Sequence, residues 1–548
     1  MSKNFNHVPT YKKPDVKGDV VARADLVLLN GNVLTMNPSQ PHANAVAIKN
    51  GKIIQVGTDE EVSKLIGEST RVIRLRGKTV VPGLIDTHIH VADFGRILTW
   101  IDLGDADSVK DMQCCLSKRV GATHKGKWIM GKGWDHNRFP EKRLPTRFDL
   151  DAVSPDNPAV FYHKSGKICV ANSKALELAG VPQQATAMPC SGVDRNKETG
   201  ESTGILRDDA MNLVWRVIPE PSEEELLDAA GLACRKIAEA GVTTIHWIVL
   251  SPVEVSIIQK LHAQDKLNLR VYVIIPANLL DTPLSSELRC AFTDETLKFG
   301  GAVIFADGYL AARTAALFQP YSDDHASDTG LLCTQEALNK LADRIHKANC
   351  QLIIHAVGDK AVDAALTAIE ATSTEASGKS LRNRIEQAAV LNKESITRIK
   401  KQQVLVSVQP NVVASEFSVW SAIERLGVER ARWLFPIKTL LKTGICVVGG
   451  SDCPMEPLSP LSGIQAAVTR EFFPEERITV DEALRMYTVN AAYASFEERL
   501  KGSIEAGKLA DFTVLSKDPQ AVPPNKIGNI AVEMTIVGGR VVYRKLSS

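Results

Sequence analysis

What the chain lacks narrows its function before any motif is considered. Lys+Arg (65) and Asp+Glu (64) nearly cancel, so there is no excess positive charge to neutralise phosphates. Nucleic acid and anionic membrane surfaces are thereby excluded as charge-driven partners. Ten cysteines are scattered over 548 residues with no repeated C-x-x-C spacing. The one close pair, Cys114-Cys115, is vicinal and unsuited to an ordinary bridge, which excludes a disulfide framework. Reduced thiols of this kind fit a cytoplasmic protein. The polar, basic N-terminus has no apolar h-region, and no stretch is long enough to cross a bilayer. Repeats and low-complexity tracts are also missing.

What is present is an ordinary globular composition, 44% hydrophobic and 24% charged, in a chain too long for one core. Residues up to about 23 read as a tail. Ala24–Leu34 reads as strand, Asn30-Gly31 turn and strand, and Ala45–Gly57 repeats the pattern around Asn50-Gly51, a hairpin grammar. The C-terminus repeats it in Lys508–Leu515 and Met534–Tyr543. Short strands at both ends predict one discontinuous β-sandwich, residues 24–82 and 497–548, wrapped around a central domain.

In that centre, apolar runs alternate with amphipathic helical stretches. The runs are Val80–His90, Val242–Ile248, Leu269–Ile275, Ala302–Asp307, Gln351–His355, Asn383–Gln387, Val404–Gln409 and Cys446–Asp452. Eight such β/α units predict an α/β fold, a TIM (β/α)8 barrel, built from residues 83–103 and 225–496, with its active site at the C-terminal strand ends. The Gly- and Pro-rich insertion 104–224 is expected as a lobe over the barrel mouth.

The first run ends in His88-Ile89-His90. Residues two apart on a strand share a face, so both imidazoles enter one volume, as metal ligation requires. A true site needs ligands at other strand ends, and His355 closes the fifth run while Asp452 closes the eighth. Three imidazoles and a carboxylate predict one divalent metal ion, zinc foremost, with iron, manganese or nickel also compatible.

Motifs along nearly the whole chain resemble the amidohydrolase superfamily, and within it the YtcJ-like (amidohydrolase 3) family. They include Pro82–His90, Gly133-Trp134-Asp135, Ala171–Leu176, Phe305–Gly308, Ala311–Leu317, His355–Asp359, Arg384-Ile385-Glu386, Gly450-Ser451-Asp452 and Gly502–Asp511. The resemblance implies a metal-dependent hydrolase in which Asp452 takes a proton from activated water attacking a C–N bond. The chain departs from the family at three places: Gln387 replaces a strand-six histidine, Val303 a strand-four lysine, and Lys167 a histidine. The first two substitutions remove what a binuclear centre needs.

The reading is therefore a hydrolase of a non-peptide C–N bond in an amide, N-substituted formamide, cyclic amide or amidine. His88, His90, His355 and Asp452 are the expected metal ligands. Asp452, Lys167 and Gln387 are the expected catalytic residues, and Trp134, Asp135, Tyr309 and Arg313 the expected substrate contacts. His246, Trp420 and an Asp135–His136 acid/base pair are weighed against ordinary structural roles. The expected partner is a small molecule, and the expected assembly a homodimer. Two alternatives stay open: a non-hydrolytic metal-dependent reaction on the same barrel, or an impaired binding protein.

Overall fold

The computed structural model describes residues 23–184, 191–280, 294–326, 330–372 and 381–546. Its centre is an eight-stranded parallel sheet. We label the strands β1 (Leu84–Ile89), β2 (Val242–Ile248), β3 (Arg270–Pro276), β4 (Leu297–Phe305), β5 (Gln351–Ala356), β6 (Arg384–Gln387), β7 (Leu405–Val408) and β8 (Val447–Gly449). The sheet nearly closes where Asp452 N–H donates to the His88 carbonyl at 2.8 Å and His90 N–H to that of Cys453 at 2.9 Å. The strands read as continuous Val/Ile/Leu runs because helices cover the barrel outside while side chains fill it inside. Those helices start on strong caps. Ser222 and Glu225 form a capping box at Glu223–Glu239, and Thr334 Oγ1 accepts from Ala337 N–H at the start of Gln335–Lys347.

Two further sheets join the termini. A four-stranded sheet (Leu26–Leu29, Ala45–Lys49, Lys52–Gly57, Arg71–Arg74) faces a six-stranded one built from Asn32–Leu34, His42–Ala43, Thr79–Pro82, Phe512–Leu515, Val532–Val537 and Arg540–Arg544. Leu28, Val46, Ile48, Val80, Phe512, Val514 and Ile536 pack between them. A buried bidentate ion pair ties this unit to the barrel: Arg270 of β3 donates to Asp511 at 2.7 and 3.0 Å.

Two strand readings are corrected. Val80–His90 is not one strand. Thr79–Pro82 pairs with Asn32-Val33 and Phe512–Leu515 in the terminal sheet, and Leu84–Ile89 pairs with β2. Gly83 makes the crossing; a Cβ there would lie 2.2 Å from Thr243 Oγ1. Likewise Leu26–Leu29 and Asn32–Leu34 are not a hairpin. The left-handed Asn30 (φ 55°) passes the chain from one sheet to the other, whereas Asn50-Gly51 does close a hairpin, with Lys49 opposite Lys52.

The segment between β1 and β2 contains its own six-stranded sheet, from Ile101–Asp102 to Ser202–Arg207. Both faces are covered, by a core around Met112, Leu116 and Trp134 on one side and Leu176, Leu206 and Val214 on the other. The eight cysteines described are free thiols. Among the described residues, no helix is long and apolar enough to cross a membrane.

Candidate metal centre at the barrel mouth

The pleat of β1 aims Asp86 and His88 inward, and His90 follows just past the strand end. Each of His88, His90 and Asp452 offers a ligand atom within 4.8 Å of the others. Asp452 Oδ1 lies 3.4 Å from His88 Nε2 and 3.5 Å from His90 Nε2. Asp452 reaches this position three residues beyond the end of β8 through a left-handed backbone (φ 59°). For a non-glycine residue this conformation costs energy, and it is characteristic of functional sites. Asp86 supports the turn from beneath: its Oδ1 accepts from His88 N–H at 3.1 Å and Ser451 N–H at 2.9 Å. Burial nevertheless pushes its carboxyl up to about 6.

His88 is fixed from behind. Its Nδ1 meets Glu386 Oε2 at 2.8 Å, which leaves Nε2 facing Asp452. Glu386, wholly buried, is also paired with Arg384. The Arg384 guanidinium bonds the Thr87 carbonyl, Ser407 Oγ at 3.2 Å and His246 Nδ1 at 2.9 Å. Burial opposes charge at Glu386, but Arg384 and His88 outweigh it and hold the carboxyl down at about 2. Burial likewise opposes charge on His88, yet Asp452 and Glu386 raise it to about 10. Asp452 is held well below the carboxylate range by His88 and His90, against burial. His88 thus lies between two carboxylates, 2.8 Å from Glu386 Oε2 and 3.4 Å from Asp452 Oδ1.

His355, at the end of β5, lies beside Glu386 in register and opposite Phe305 of β4. Its ring sits 5.3 Å from those of Phe305 and Tyr309. It is 1% exposed, yet neither ring nitrogen has a hydrogen-bond partner, and burial with the His88 charge pushes its pKa down to about 4. His355 lies outside the set whose atoms fall within 4.8 Å. The buried Nδ1 of His90 is also unpartnered. Buried polar atoms left bare are costly and uncommon. Unsatisfied imidazole nitrogens near a buried carboxylate are the donor types a divalent ion requires, so the residues present fit a metal.

The other sequence candidates separate into two groups. Gln387, buried and left-handed (φ 68°), donates from Nε2 to Asp452 Oδ2 at 3.1 Å. Tyr309 is 45% exposed and packs edge-on to His355. Val303 faces the barrel interior among Ile248, Tyr272, Ile274 and Ile353, an apolar layer without ligand atoms. Lys167 is exposed on the lobe, its ammonium 5.9 Å from the Trp420 ring centroid. Trp134 is fully buried in the lobe core and donates to the Phe161 carbonyl at 3.0 Å, so it is packing and not an open pocket wall. Arg313 pairs with Asp323 at 2.6 Å. Asp135 joins Lys164, Asn137 and His163 within the lobe. His246 is wholly buried and kept neutral by burial and Arg384. The sequence reading missed the supporting roles of Arg384, Glu386, Asp86 and Ser407. Arg384 and Glu386 sit two apart in a short apolar strand, and that spacing was the available signal.

An eight-stranded barrel with this His/His/Asp cluster at its mouth can be set beside known proteins. The amidohydrolase family profile matches residues 71–543. The chain belongs to the amidohydrolase family. This amidohydrolase is 32% identical to YtcJ of Bacillus subtilis over 94% of its own length and 98% of the relative. It is 28% identical to the N-substituted formamide deformylase of Arthrobacter pascens, over 96% and 99% of the two chains. An uncharacterized metal-dependent hydrolase from Pyrococcus furiosus superposes with TM-score 0.75 at 28% identity, over 90% of this chain and 99% of that one. The amidohydrolase is accordingly a metal-dependent hydrolase built on a (β/α)8 barrel.

Proposed function

We propose that this protein hydrolyses a non-peptide C–N bond in a small amide, N-substituted formamide, cyclic amide or amidine. The observation that carries the reading is Asp452: an ionised, nearly buried carboxylate within 3.5 Å of both His88 and His90, with its second oxygen held by Gln387. The formamide-deforming relative of near-equal length supports the bond type.

His88, His90, His355 and Asp452 hold one divalent ion, zinc by donor set, which when bound supplies Lewis acidity to the substrate carbonyl or imine and lowers the pKa of water. The chain's own residues do the rest. Asp452 accepts the proton released as water attacks and returns it to the leaving nitrogen, a role that its position within 3.5 Å of both His88 and His90 and its rigid turn suit. Gln387 cannot carry a proton. Its amide orients Asp452 Oδ2, so proton transfer falls on that single carboxylate. Tyr309 and Phe305 flank His355 and give the substrate an apolar wall. Lys167, on the lobe, is the cation available to a substrate carboxylate or oxyanion.

The test is a substrate screen on metal-stripped and zinc-reconstituted enzyme, using N-substituted formamides, hydantoin-like rings and N-acyl amino acids with products weighed by mass spectrometry. The expected result is turnover only in reconstituted enzyme, giving two fragments from an acyclic substrate or one ring-opened product from a cyclic one, in either case with a total mass that exceeds the substrate by one water. Turnover that survives chelation, or a product isomeric with its substrate, would overturn the proposal.

A further inference from the structure

The lobe carries a second group of ligand-type side chains that the reaction leaves unused. Asp135 and His136 follow the strand Ile129–Trp134, and His163 ends the adjacent parallel strand Ala159–His163, with Trp134 opposite His163. Parallel strands end together, so three side chains arrive at one place. One donor atom from each lies within 4.8 Å of the others. His163 is 7% exposed, and its Nε2 sits 3.8 Å from Asp135 Oδ1. That nitrogen has no hydrogen-bond partner, and neither has the buried Nδ1 of His136. Two bare, buried imidazole nitrogens, one of them 3.8 Å from a carboxylate oxygen, form an unsatisfied arrangement that ligation would complete.

From this geometry we infer that the lobe holds a second site for a divalent first-row transition ion, with Asp135, His136 and His163 as ligands. Two imidazoles and one carboxylate suit zinc, cobalt, nickel or copper and not the hard ions magnesium or calcium. The protonation states agree. The Lys164 ammonium on Asp135 Oδ2 holds that carboxyl down at about 2, and burial together with His136 pushes His163 below the usual histidine range. Lys164 takes one carboxylate oxygen and so limits Asp135 to the other, which also accepts from Asn137 N–H at 3.1 Å and Asn137 Nδ2 at 2.9 Å. Ligation at His163 Nε2 places the ring proton on Nδ1. Ser165 Oγ, 2.8 Å away, accepts it there, in exchange for the 3.1 Å bond that Ser165 N–H makes to the same nitrogen. His136 is only half-buried, which leaves an entry path and room for water to complete a tetrahedral shell. No residue is shared with the barrel set of His88, His90, His355 and Asp452.

The experiment is a cobalt(II) titration of full-length, tag-free, metal-stripped protein, read by the visible ligand-field spectrum and by metal counted after gel filtration. Wild type is expected to show an equivalent of cobalt that disappears in His136→Gln/His163→Gln while the barrel equivalent remains. Retention of the barrel ion shows that this variant is folded. His88→Asn/His90→Asn is expected to show the reverse, leaving the lobe spectrum alone. His136→Gln by itself, at a half-exposed position, is expected to weaken the lobe step without altering the other. The proposal is overturned if wild type takes up only cobalt that depends on His88 and His90, or if the lobe double variant binds as much as wild type.

Discussion

His88 and His355 stand four strands apart at one barrel mouth and are held in opposite ways. His88 has both nitrogens engaged, Nδ1 by Glu386 and Nε2 by Asp452, and behind Glu386 stands Arg384 with its bonds to Thr87, Ser407 and His246. His355 is as deeply buried and has no hydrogen bond at either nitrogen; only Phe305 and Tyr309 position its ring. The titration behaviour follows this division, with His88 raised to about 10 and His355 lowered to about 4. The protein thus pre-positions one half of its ligand set through a charged network. The other half is an imidazole without hydrogen-bond partners, fixed by packing alone.

The sharpest break of this contrast removes the carboxylate that His88 and His90 share. Asp452→Asn keeps the shape but not the base, and turnover is expected to fall about 10²–10⁴-fold, as for loss of a general base. Steady-state kinetics at saturating metal measures it, and a loss under tenfold would assign proton transfer elsewhere. Next, Arg384→Met leaves Glu386 buried beside His88 with half of its countercharge gone. The expected cost is about 3–5 kcal/mol in urea unfolding. Adding Glu386→Gln should restore part of that stability, and failure to do so would show that Arg384 acts by packing alone.

Glu386→Gln by itself tests orientation of the ligand. Loss of a carboxylate behind a metal-bound imidazole is expected to weaken metal affinity about 10–100-fold, measured by competition with a chelator. The comparison variant Phe305→Leu, on the His355 side, is expected to change affinity less. The smallest effect is on acid stability. The Glu386 carboxyl titrates at about 2 when folded against an ordinary 4.5, so the folded state binds fewer protons across that interval. Its contribution is complete above about pH 4.5 and is lost as pH falls toward 2. In metal-free protein, Glu386→Gln is expected to flatten stability against pH in that window, followed by urea midpoints.

Much of the barrel was legible because its strands are buried on both faces and read as apolar runs, and because His88, His355 and Asp452 each close such a run. Other features were not legible. The stretch Val80–Ile85 is apolar on both sides of Gly83, so periodicity cannot show that Gly83 divides the run Val80–His90 between two sheets. Asn30-Gly31 and Asn50-Gly51 look alike in sequence, and only the partners of their flanking strands separate a sheet crossing from a hairpin. Trp134 belongs to a recognisable motif, yet whether an indole lines a pocket or a core depends on the sheet above it. Arg384 and Glu386 acquire their roles from Thr87, Ser407 and His246, which lie on three other strands, and no local pattern records that meeting.

The decisive measurement is anomalous diffraction at the metal edge from crystals of zinc-reconstituted protein. A peak within about 2.0–2.2 Å of nitrogen atoms of His88, His90 and His355 and an oxygen of Asp452 is the predicted result, with His88 Nδ1 still on Glu386. A barrel mouth without a peak, or a peak ligated by His88, His90 and Asp452 with His355 left bare, would contradict the division of labour between the two histidines.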